Sequence, residues 1–430
     1  MKDPLKIGLA GLGTVGVGVV KILQHHSDLI SKRAGRPIQI IAISARDQGK
    51  DRGVDLSGYE WVKNFSTMSN HNGLDLVVEM IGGAEGAVKD FVYSSIKNNK
   101  HVVTANKALL AHHGADLAQL ASDNAVSVGY EAAIAGGIPI VKTLREGLAA
   151  NNITGVFGIL NGTCNYILTE MRETGRDFED VLKEAQDKGY AEADPTFDVD
   201  GIDAAHKLTL LTALGFGVKP DFGALSITGI RDVSADDIKF AADMGYKIKL
   251  LGIAKRSGDK ILQRMEPCLV KKTSAIGNVE GVFNAVCVKG DFVNEVLNVG
   301  PGAGEGPTAS AIVADIIDIA RGNVPPMFGV DAKTLQHASW ADANDIQSAC
   351  YLHLEVKDQS GVIADITSVL KNHNVSINKF IQPGFNDNGT ESIVMITHKG
   401  QYKDILAGMI ALEKLDSILT KPKHLRVEEI

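Results

Sequence analysis

Five acidic residues and one lysine fall in the window Gly189-Tyr-Ala-Glu-Ala-Asp-Pro-Thr-Phe-Asp-Val-Asp-Gly-Ile-Asp-Ala-Ala-His-Lys207. The end of this window reads as a helix, which puts Asp203 and Lys207 at i, i+4 on one face. Taken alone, such a pair is an exposed helix contact worth roughly a few tenths of a kcal/mol. Glu192 and Asp198 fall in the loop before that helix, free to converge on a ligand. Asp194 and Asp200 read as solubilising charges of the same loop, and His206 as structural support. Two more segments carry polar groups between apolar runs: Thr104-Ala-Asn-Lys-Ala108 and Asn161-Gly-Thr-Cys-Asn-Tyr166. Lys107 is expected in a loop after a parallel strand, at the carboxyl edge where α/β sheets bind ligands. Its plain alternative is a solvated surface lysine.

A different chemistry is written near the N-terminus. Lys6 to Gly16 reads as a strand, then Gly11-x-Gly13-x-x-Gly16, then an apolar helix opened by Thr14 and Val15. The first glycine suits a tight turn, the second a close approach to pyrophosphate, and the third the packing of helix on strand. The helix N-terminus then turns unpaired amides toward phosphate. This is a dinucleotide site. At the end of the second strand the chain reads Ile43-Ser44-Ala45-Arg46-Asp47. An acidic residue there would bind the ribose 2′-OH of NAD, whereas Arg46, helped by Lys50 or Arg52, suits the 2′-phosphate of NADP. NADP is the expected cofactor, with NAD left open through Asp47.

Elements must hold these residues in place. Apolar runs at Leu5–Ala10, Ile38–Ser44, Leu74–Ile81, His101–Thr104 and Val126–Tyr130 alternate with helical patterns near 15–26, 86–98 and 113–122. That alternation predicts a doubly wound α/β domain of Rossmann type over residues 1–145. Residues 146–330 read as an α+β substrate domain, with strands at 153–160, 248–255, 261–270 and 282–290. A second glycine loop, Gly300 to Gly306, precedes Pro307, read as the first residue of a helix over about 305–325 that returns to the first sheet. Residues 345–430 read strand, helix, strand, strand, helix, strand, a ferredoxin-like βαββαβ module.

Composition limits the partners. The 430 residues carry a formal charge of −8, and the lysines and arginines are scattered rather than striped, so no nucleic-acid partner is expected. The four cysteines lie far apart without metal-ligand spacing, which fits a reducing compartment. The apolar stretch Ile7–Val20 is glycine-rich and too short to span a bilayer. No membrane association is expected, and a cytoplasmic location is.

The motifs GLGTVG, TANKA, GILNGTxNYIL, GYAEADPTxDVxGxDAAxK and GPGAGxGPTA follow one another over about residues 5–325. In this the chain resembles homoserine dehydrogenase. The resemblance implies reversible hydride transfer between L-homoserine and L-aspartate 4-semialdehyde, with 146–330 as the homoserine-binding and dimerisation domain. It implies Lys207 as acid/base, Lys107 as a second polarising or proton-handling group, and Asp203 as the residue that orients Lys207. Glu192 and Asp198 would hold the substrate α-ammonium. Thr104 and Lys107 would join the cofactor site, and the Gly302 and Gly304 loop would close over the nicotinamide end. A monovalent cation such as Na+ is implied on backbone oxygens around Glu131, Ile134, Gly136 and Ile138.

The C-terminal module resembles an ACT domain, with Asp358-Gln-Ser-Gly-Val362 at its strand-to-helix turn. This implies an amino-acid effector, threonine being the natural expectation, at Asp358, Gly361 and Val362, and a homodimer or homotetramer. Two other readings compete. Cys164 beside Asn165 would be a thiol nucleophile in an aldehyde-oxidising enzyme, whereas in the resembled motif its position is variable and it fills core. A nucleotide-binding sensor without catalysis would have no need of Lys107 and Lys207.

Overall fold

The computed structural model describes residues 2–323, 325–383 and 390–430. In chain order it begins with β1 (Leu5–Ala10), α1 (Thr14–His25), α2 (Ser27–Ala34), β2 (Ile38–Ser44), β3 (Glu60–Trp61), β4 (Leu76–Glu79), α3 (Ala87–Lys97), β5 (His101–Thr104), α4 (Lys107–Asp123), β6 (Val128–Gly129) and α5 (Ile140–Lys142). There follow β7 (Ile153–Ile159), α6 (Gly162–Thr174), α7 (Phe178–Asp187), α8 (Thr196–Val199), α9 (Ile202–Phe216), β8 (Ser226–Ile227), α10 (Ala235–Asp243), β9 (Tyr246–Ser257), β10 (Lys260–Lys271), β11 (Phe283–Gly290), β12 (Asn294–Pro301) and α11 (Glu305–Arg321). The last stretch is β13 (Gln347–Lys357), α12 (Val362–Asn372), β14 (Ile377–Ile381), β15 (Thr390–Thr397), β16 (Gly400–Gln401), α13 (Tyr402–Leu412) and β17 (Lys423–Glu428). Contacts divide the chain into two units. The first holds residues up to 162 with 203–225 and 283–338, and the second holds 163–202, 226–282 and 339–430.

In the first unit, six strands pair in parallel in the order β3-β2-β1-β4-β5-β6. This is the doubly wound order, with its switch point between β1 and β4. Ile7, Leu9, Leu76, Val77 and Val78 are fully buried, as befits parallel strands covered on both faces. Helix α11 returns to this sheet and crosses α1 at Gly18, where an added Cβ would stand 2.9 Å from the Cβ of Ala309. Only hydrogen fits there. The helix starts at Glu305, so Pro307 is its third residue and not its first. Amides of the first turn have no acceptor within the helix, so proline there forfeits no hydrogen bond. Helix α2 and strand β12 were not anticipated. The first is polar and short, and the second exists by antiparallel pairing with β11, which in turn pairs with β7.

In the second unit, β9 and β10 form a twelve-residue antiparallel ladder, and β10 pairs in parallel with β17. The C-terminal strands run in the order β17-β13-β15-β14, the βαββαβ arrangement expected from the strand and helix periods. Leu352 and Leu354 of β13, Ile366 of α12, Ile393 of β15 and Ile405 of α13 meet in one core.

Asp237 ties α10 to this module. Its Oδ1 accepts the Tyr351 hydroxyl at 3.0 Å and lies 2.7 Å from His353 Nδ1, while its Oδ2 accepts from Ser234 Oγ at 2.6 Å and Lys423 Nζ at 3.0 Å. Burial alone would raise its carboxyl, but the bonds from His353 and Ser234 and the charges of His353 and Lys423 hold it well below the usual range. For His353, burial opposes protonation, and the bonds and charges of Asp237 and Glu355 outweigh it, so its value is raised. A depressed carboxyl stabilises above its unfolded value and loses that contribution as pH falls through the folded one. Asp237→Asn is therefore expected to cost about 3 kcal/mol at pH 7. Thermal melts from pH 5 to 2 should show the gap to wild type narrowing below the ordinary aspartate value of about 3.9; a constant gap would contradict the ionic role.

Candidate active site

Lys107, Asp203 and Lys207 meet in the first unit. Lys207 Nζ lies 2.6 Å from Asp203 Oδ2, and Lys107 Nζ lies 3.0 Å from Asp203 Oδ1. One carboxylate thus bridges two ammonium groups. Asn161 Nδ2 donates to Asp203 Oδ2 at 3.0 Å, and Lys207 Nζ also donates to the Leu160 carbonyl at 2.8 Å. Burial would raise the Asp203 carboxyl, yet the charges of Lys207 and Lys107 and the bonds from Lys207 and Asn161 hold it far below the usual range. Lys207 is only 9% exposed. The i, i+4 pair is therefore no solvated surface contact.

Lys107 is the first residue of α4 rather than part of a loop. Asn106 is the reason: its Oδ1 accepts the Leu109 amide at 3.1 Å, an N-cap, and its Nδ2 donates to the Gly83 carbonyl at 2.7 Å. Thr104 supports the same corner. Its hydroxyl donates to Glu79 Oε2 at 2.5 Å and accepts the Asn106 amide at 3.0 Å. Glu79, fully buried, accepts the Ile81 and Gly82 amides through Oε1. The Thr104 hydroxyl is thus engaged within the protein. Sequence reasoning missed Asn106, Asn161 and Glu79. The capping asparagine before an apolar run was a readable signal for the first, and an acid closing the apolar run Leu76–Glu79 for the last.

The glycine turn after β1 has the shape its spacing requires. Gly11 has φ +104°, and a Cβ there would stand 2.7 Å from the Met80 carbonyl oxygen. A Cβ on Gly16 would stand 2.1 Å from the Gly11 oxygen, whereas one on Gly13 would meet nothing within 4 Å. The open side is thus at Gly13, and α1 begins there without a side-chain cap, so the amides of Thr14, Val15 and Gly16 have no acceptor within the helix. This fits a dinucleotide pyrophosphate. At the end of β2, Ser44 is buried, and beyond it Arg46 is exposed, with no ion pair among the described residues. Arg52 is committed elsewhere: it donates to the Leu12, Lys50 and Asp47 carbonyls and lies 5.7 Å from the Trp61 ring centroid. The Asp47 carboxylate accepts the Gly49 amide at 2.9 Å.

The second glycine loop packs on the turn after β6. A Cβ on Gly136 would stand 2.4 Å from the Gly302 oxygen, and the Gly137 amide donates to the Pro301 carbonyl at 3.0 Å. Gly304, at φ +117°, leads into α11. Glu131 is buried; its carboxylate accepts the Val141 and Lys142 amides, and its own amide donates to Asp315 Oδ2. Burial and the charge of Asp315 push its carboxyl up to about 7. The Glu131 carbonyl accepts the Ile134 amide at 3.4 Å, and the Ile138 carbonyl accepts the Ile140 amide at 2.8 Å. Among the described residues, no three His, Cys, Asp or Glu side chains are grouped to hold a metal ion.

The acidic loop belongs to the second unit. Glu192 is exposed in the loop, while Asp198 lies in the single turn of α8, half-buried. Asp194 accepts the Thr196 amide, and Asp200 pairs with Arg231 at 2.5 Å. Cys164 is fully buried, and its thiol donates to the Asp198 carbonyl at 3.2 Å, so it steadies this loop from the core. Asp358 is exposed, Gly361 has φ +97° before α12, and Val362 is buried.

Two family models match the chain: one described as homoserine dehydrogenase, NAD binding domain, over residues 11–131, and one described as homoserine dehydrogenase over 139–317. The homoserine dehydrogenase of Neisseria gonorrhoeae is 45% identical over 433 residues, spanning 99% of both chains. That of Pseudomonas aeruginosa is 41% identical, again over 99% of both. A crystal structure of a homoserine dehydrogenase from Thiobacillus denitrificans superposes with a TM-score of 0.93 at 42% identity, covering 99% of this chain and 98% of that one. A hyperthermophilic archaeal homoserine dehydrogenase in complex with NADPH covers 75% of this chain and 99% of its own, with a TM-score of 0.64 at 26% identity. No helix among the described residues is long and apolar enough to cross a membrane. Likeness that runs from end to end at these identities, over a sheet and a glycine turn built for a dinucleotide, means that the chain belongs to the homoserine dehydrogenase family of NAD(P)-dependent oxidoreductases.

Proposed function

We propose that the enzyme interconverts L-homoserine and L-aspartate 4-semialdehyde with NADP(H), on the route from the semialdehyde to threonine, isoleucine and methionine. The observation that carries this reading is the buried carboxylate of Asp203 bridging Lys107 and Lys207. An ammonium has three N–H donors. Two of those on Lys207 are engaged by Asp203 and Leu160, which leaves the third for the substrate oxygen. In the reductive direction Lys207 gives a proton to the alkoxide that develops on the aldehyde oxygen. In the oxidative direction its neutral amine takes the hydroxyl proton. Asp203 holds Lys207 in place, and Lys107 polarises the same oxygen. Bound NADPH supplies the hydride. Glu192 and Asp198 complement the α-ammonium of the amino-acid substrate.

Gly11, Gly13 and Gly16 with the Thr14 and Val15 amides would hold the pyrophosphate, and Arg46 the 2′-phosphate; Thr104 would shape and Gly302 and Gly304 cover the nicotinamide side. The archaeal relative's complex with NADPH supports this choice of cofactor. A monovalent cation such as Na+ would sit on the carbonyls of Glu131, Ile134, Gly136 and Ile138 as a structural site. We read residues 1–145 as the cofactor domain, 146–330 as the substrate and dimerisation domain, and 345–430 as an ACT domain that takes an amino acid, threonine first among candidates, through Asp358, Gly361 and Val362. The assembly is a homodimer or homotetramer, and the cytoplasm, where four buried thiols stay reduced, is its place.

Initial rates of L-homoserine oxidation with NADP+ and NAD+ test the reading. Wild type should prefer NADP+, and Arg46→Ala should raise KM for NADP+ about tenfold, the equivalent of one charge-assisted contact, while leaving NAD+ unaffected. An enzyme inert toward homoserine that oxidises the semialdehyde in a phosphate-dependent way would overturn it and make Cys164 the nucleophile.

A further inference from the structure

Asn284 is the second residue of β11 and is 1% exposed. Neither Nδ2 nor Oδ1 of its carboxamide has a hydrogen-bond partner among the described residues. A buried amide in this state costs stability, and native proteins keep few of them. Its place in the fold says what it is kept for. Strand β11 is paired on both flanks, by β7 and by β12, and the ladder with β12 ends at Pro301. Gly302 is the first residue beyond that ladder, and the Asn284 carboxamide lies directly against it. A Cβ on Gly302 would stand 2.6 Å from Oδ1 and closer still to Cγ and Nδ2.

The two glycines of this loop thus serve different needs. Gly304 takes a conformation that side chains disfavour, at φ +117°, whereas Gly302 has no positive φ and supplies room. That room holds an amide with a free donor and a free acceptor, where a leucine of similar shape would bury no polar atom. The Gly302 carbonyl and the Ala303 amide nitrogen pack against Gly136 instead. Ala303 and Gly304 are exposed. With the strand fixed by two ladders, the loop is the partner that can adjust.

We propose that Asn284 is a positioning residue for the nicotinamide cofactor: its carboxamide hydrogen-bonds the backbone of the Gly302–Gly304 loop when that loop closes over the cofactor. This rests on the reading that the loop covers the nicotinamide end. Bonds gained only in the closed state add to cofactor affinity and not to the stability of the free protein.

The test uses intact enzyme and two probes, NADPH and adenosine 2′,5′-bisphosphate, which carries the phosphate end of the cofactor without nicotinamide. Calorimetry gives the Kd of each for wild type, Asn284→Leu, Asn284→Ala and Gly302→Ala, alongside melting temperatures without ligand. Asn284→Leu should melt at or above wild type, because apolar surface replaces an unpaired buried amide. It should nevertheless bind NADPH tenfold or more weakly and the bisphosphate as wild type does. Asn284→Ala should show the same split between the probes, whatever leucine does to packing. Gly302→Ala, whose methyl collides with the carboxamide, should lose NADPH affinity in the same selective way. A lower melting temperature with equal weakening of both probes in both Asn284 variants would mean that the amide already braces the free enzyme, and would overturn the proposal. Selective weakening by Gly302→Ala, with NADPH binding intact in both Asn284 variants, would overturn the role of Asn284 and leave the loop reading standing. NADPH binding unchanged in all three variants would overturn the loop reading and the proposal together.

Discussion

Lys207→Ala is expected to lower kcat for L-homoserine oxidation by about 10²-fold or more, because a positioned proton donor and acceptor contributes roughly 10² to 10⁴. The loss should fall on kcat more than on KM. In the proposed reaction Lys207 would meet the substrate oxygen, whose charge changes in the transition state, and the α-ammonium would fall to Glu192 and Asp198. Alanine also leaves Asp203 with one ammonium instead of two, so a fall in stability accompanies the fall in rate. Lys207→Arg separates the two effects. The guanidinium keeps the charge beside Asp203 but does not give up a proton near neutral pH. Its melting temperature should lie near wild type while its kcat stays with the alanine variant. Steady-state rates and melts on both variants decide the matter. A kcat within threefold of wild type in Lys207→Ala would move the proton transfer to Lys107.

Asp203→Ala should be the most damaging change in the site. It removes the charge that Lys107 and Lys207 share and the acceptor of Asn161. Breaking a buried ion pair from one side costs about 3–5 kcal/mol, since the remaining charge is left uncompensated, and here two remain. The rate should fall with the stability, because among the described residues the Leu160 carbonyl is then the remaining hydrogen-bond partner of the Lys207 ammonium. The pH dependence distinguishes an ionic role from a packing role. The Asp203 carboxyl is depressed by the two lysines, so its stabilisation is complete above the ordinary aspartate value of about 3.9 and is lost as pH falls through the folded value. The melting temperature of wild type should therefore exceed that of Asp203→Ala most at neutral pH, with the difference shrinking below about pH 4. A difference independent of pH would mean that Asp203 acts by filling space.

Much of this protein was legible before any coordinates. The alternation of apolar strands and amphipathic helices announced the parallel sheet, because strand and helix periods are properties of neighbouring residues. The glycine turn was readable because each of its glycines answers a local steric demand, as the contacts at Gly11 and Gly16 bear out. The strand and helix order of the C-terminal module was readable for the same reason. The differences have separate physical reasons. Strand β12 exists through its pairing with β11. Pro307 tolerates a third-residue position because α11 begins earlier than its apolar run. Lys107 follows a parallel strand and so reads as a loop residue, although Asn106 caps the helix that begins there.

Spacing by itself determined that Asp203 and Lys207 share a helix face, and that five acidic residues gather in one short window that ends in this helix. Only the tertiary structure decided that this helix pair is buried and that Lys107, from another helix, completes it through the second oxygen of the same carboxylate. It likewise decided that Asp237 joins α10 to strands more than a hundred residues later. Periodicity and turn chemistry act between neighbours in the chain, whereas the distance between charges on separate elements, and the dielectric around them, are set by how those elements pack.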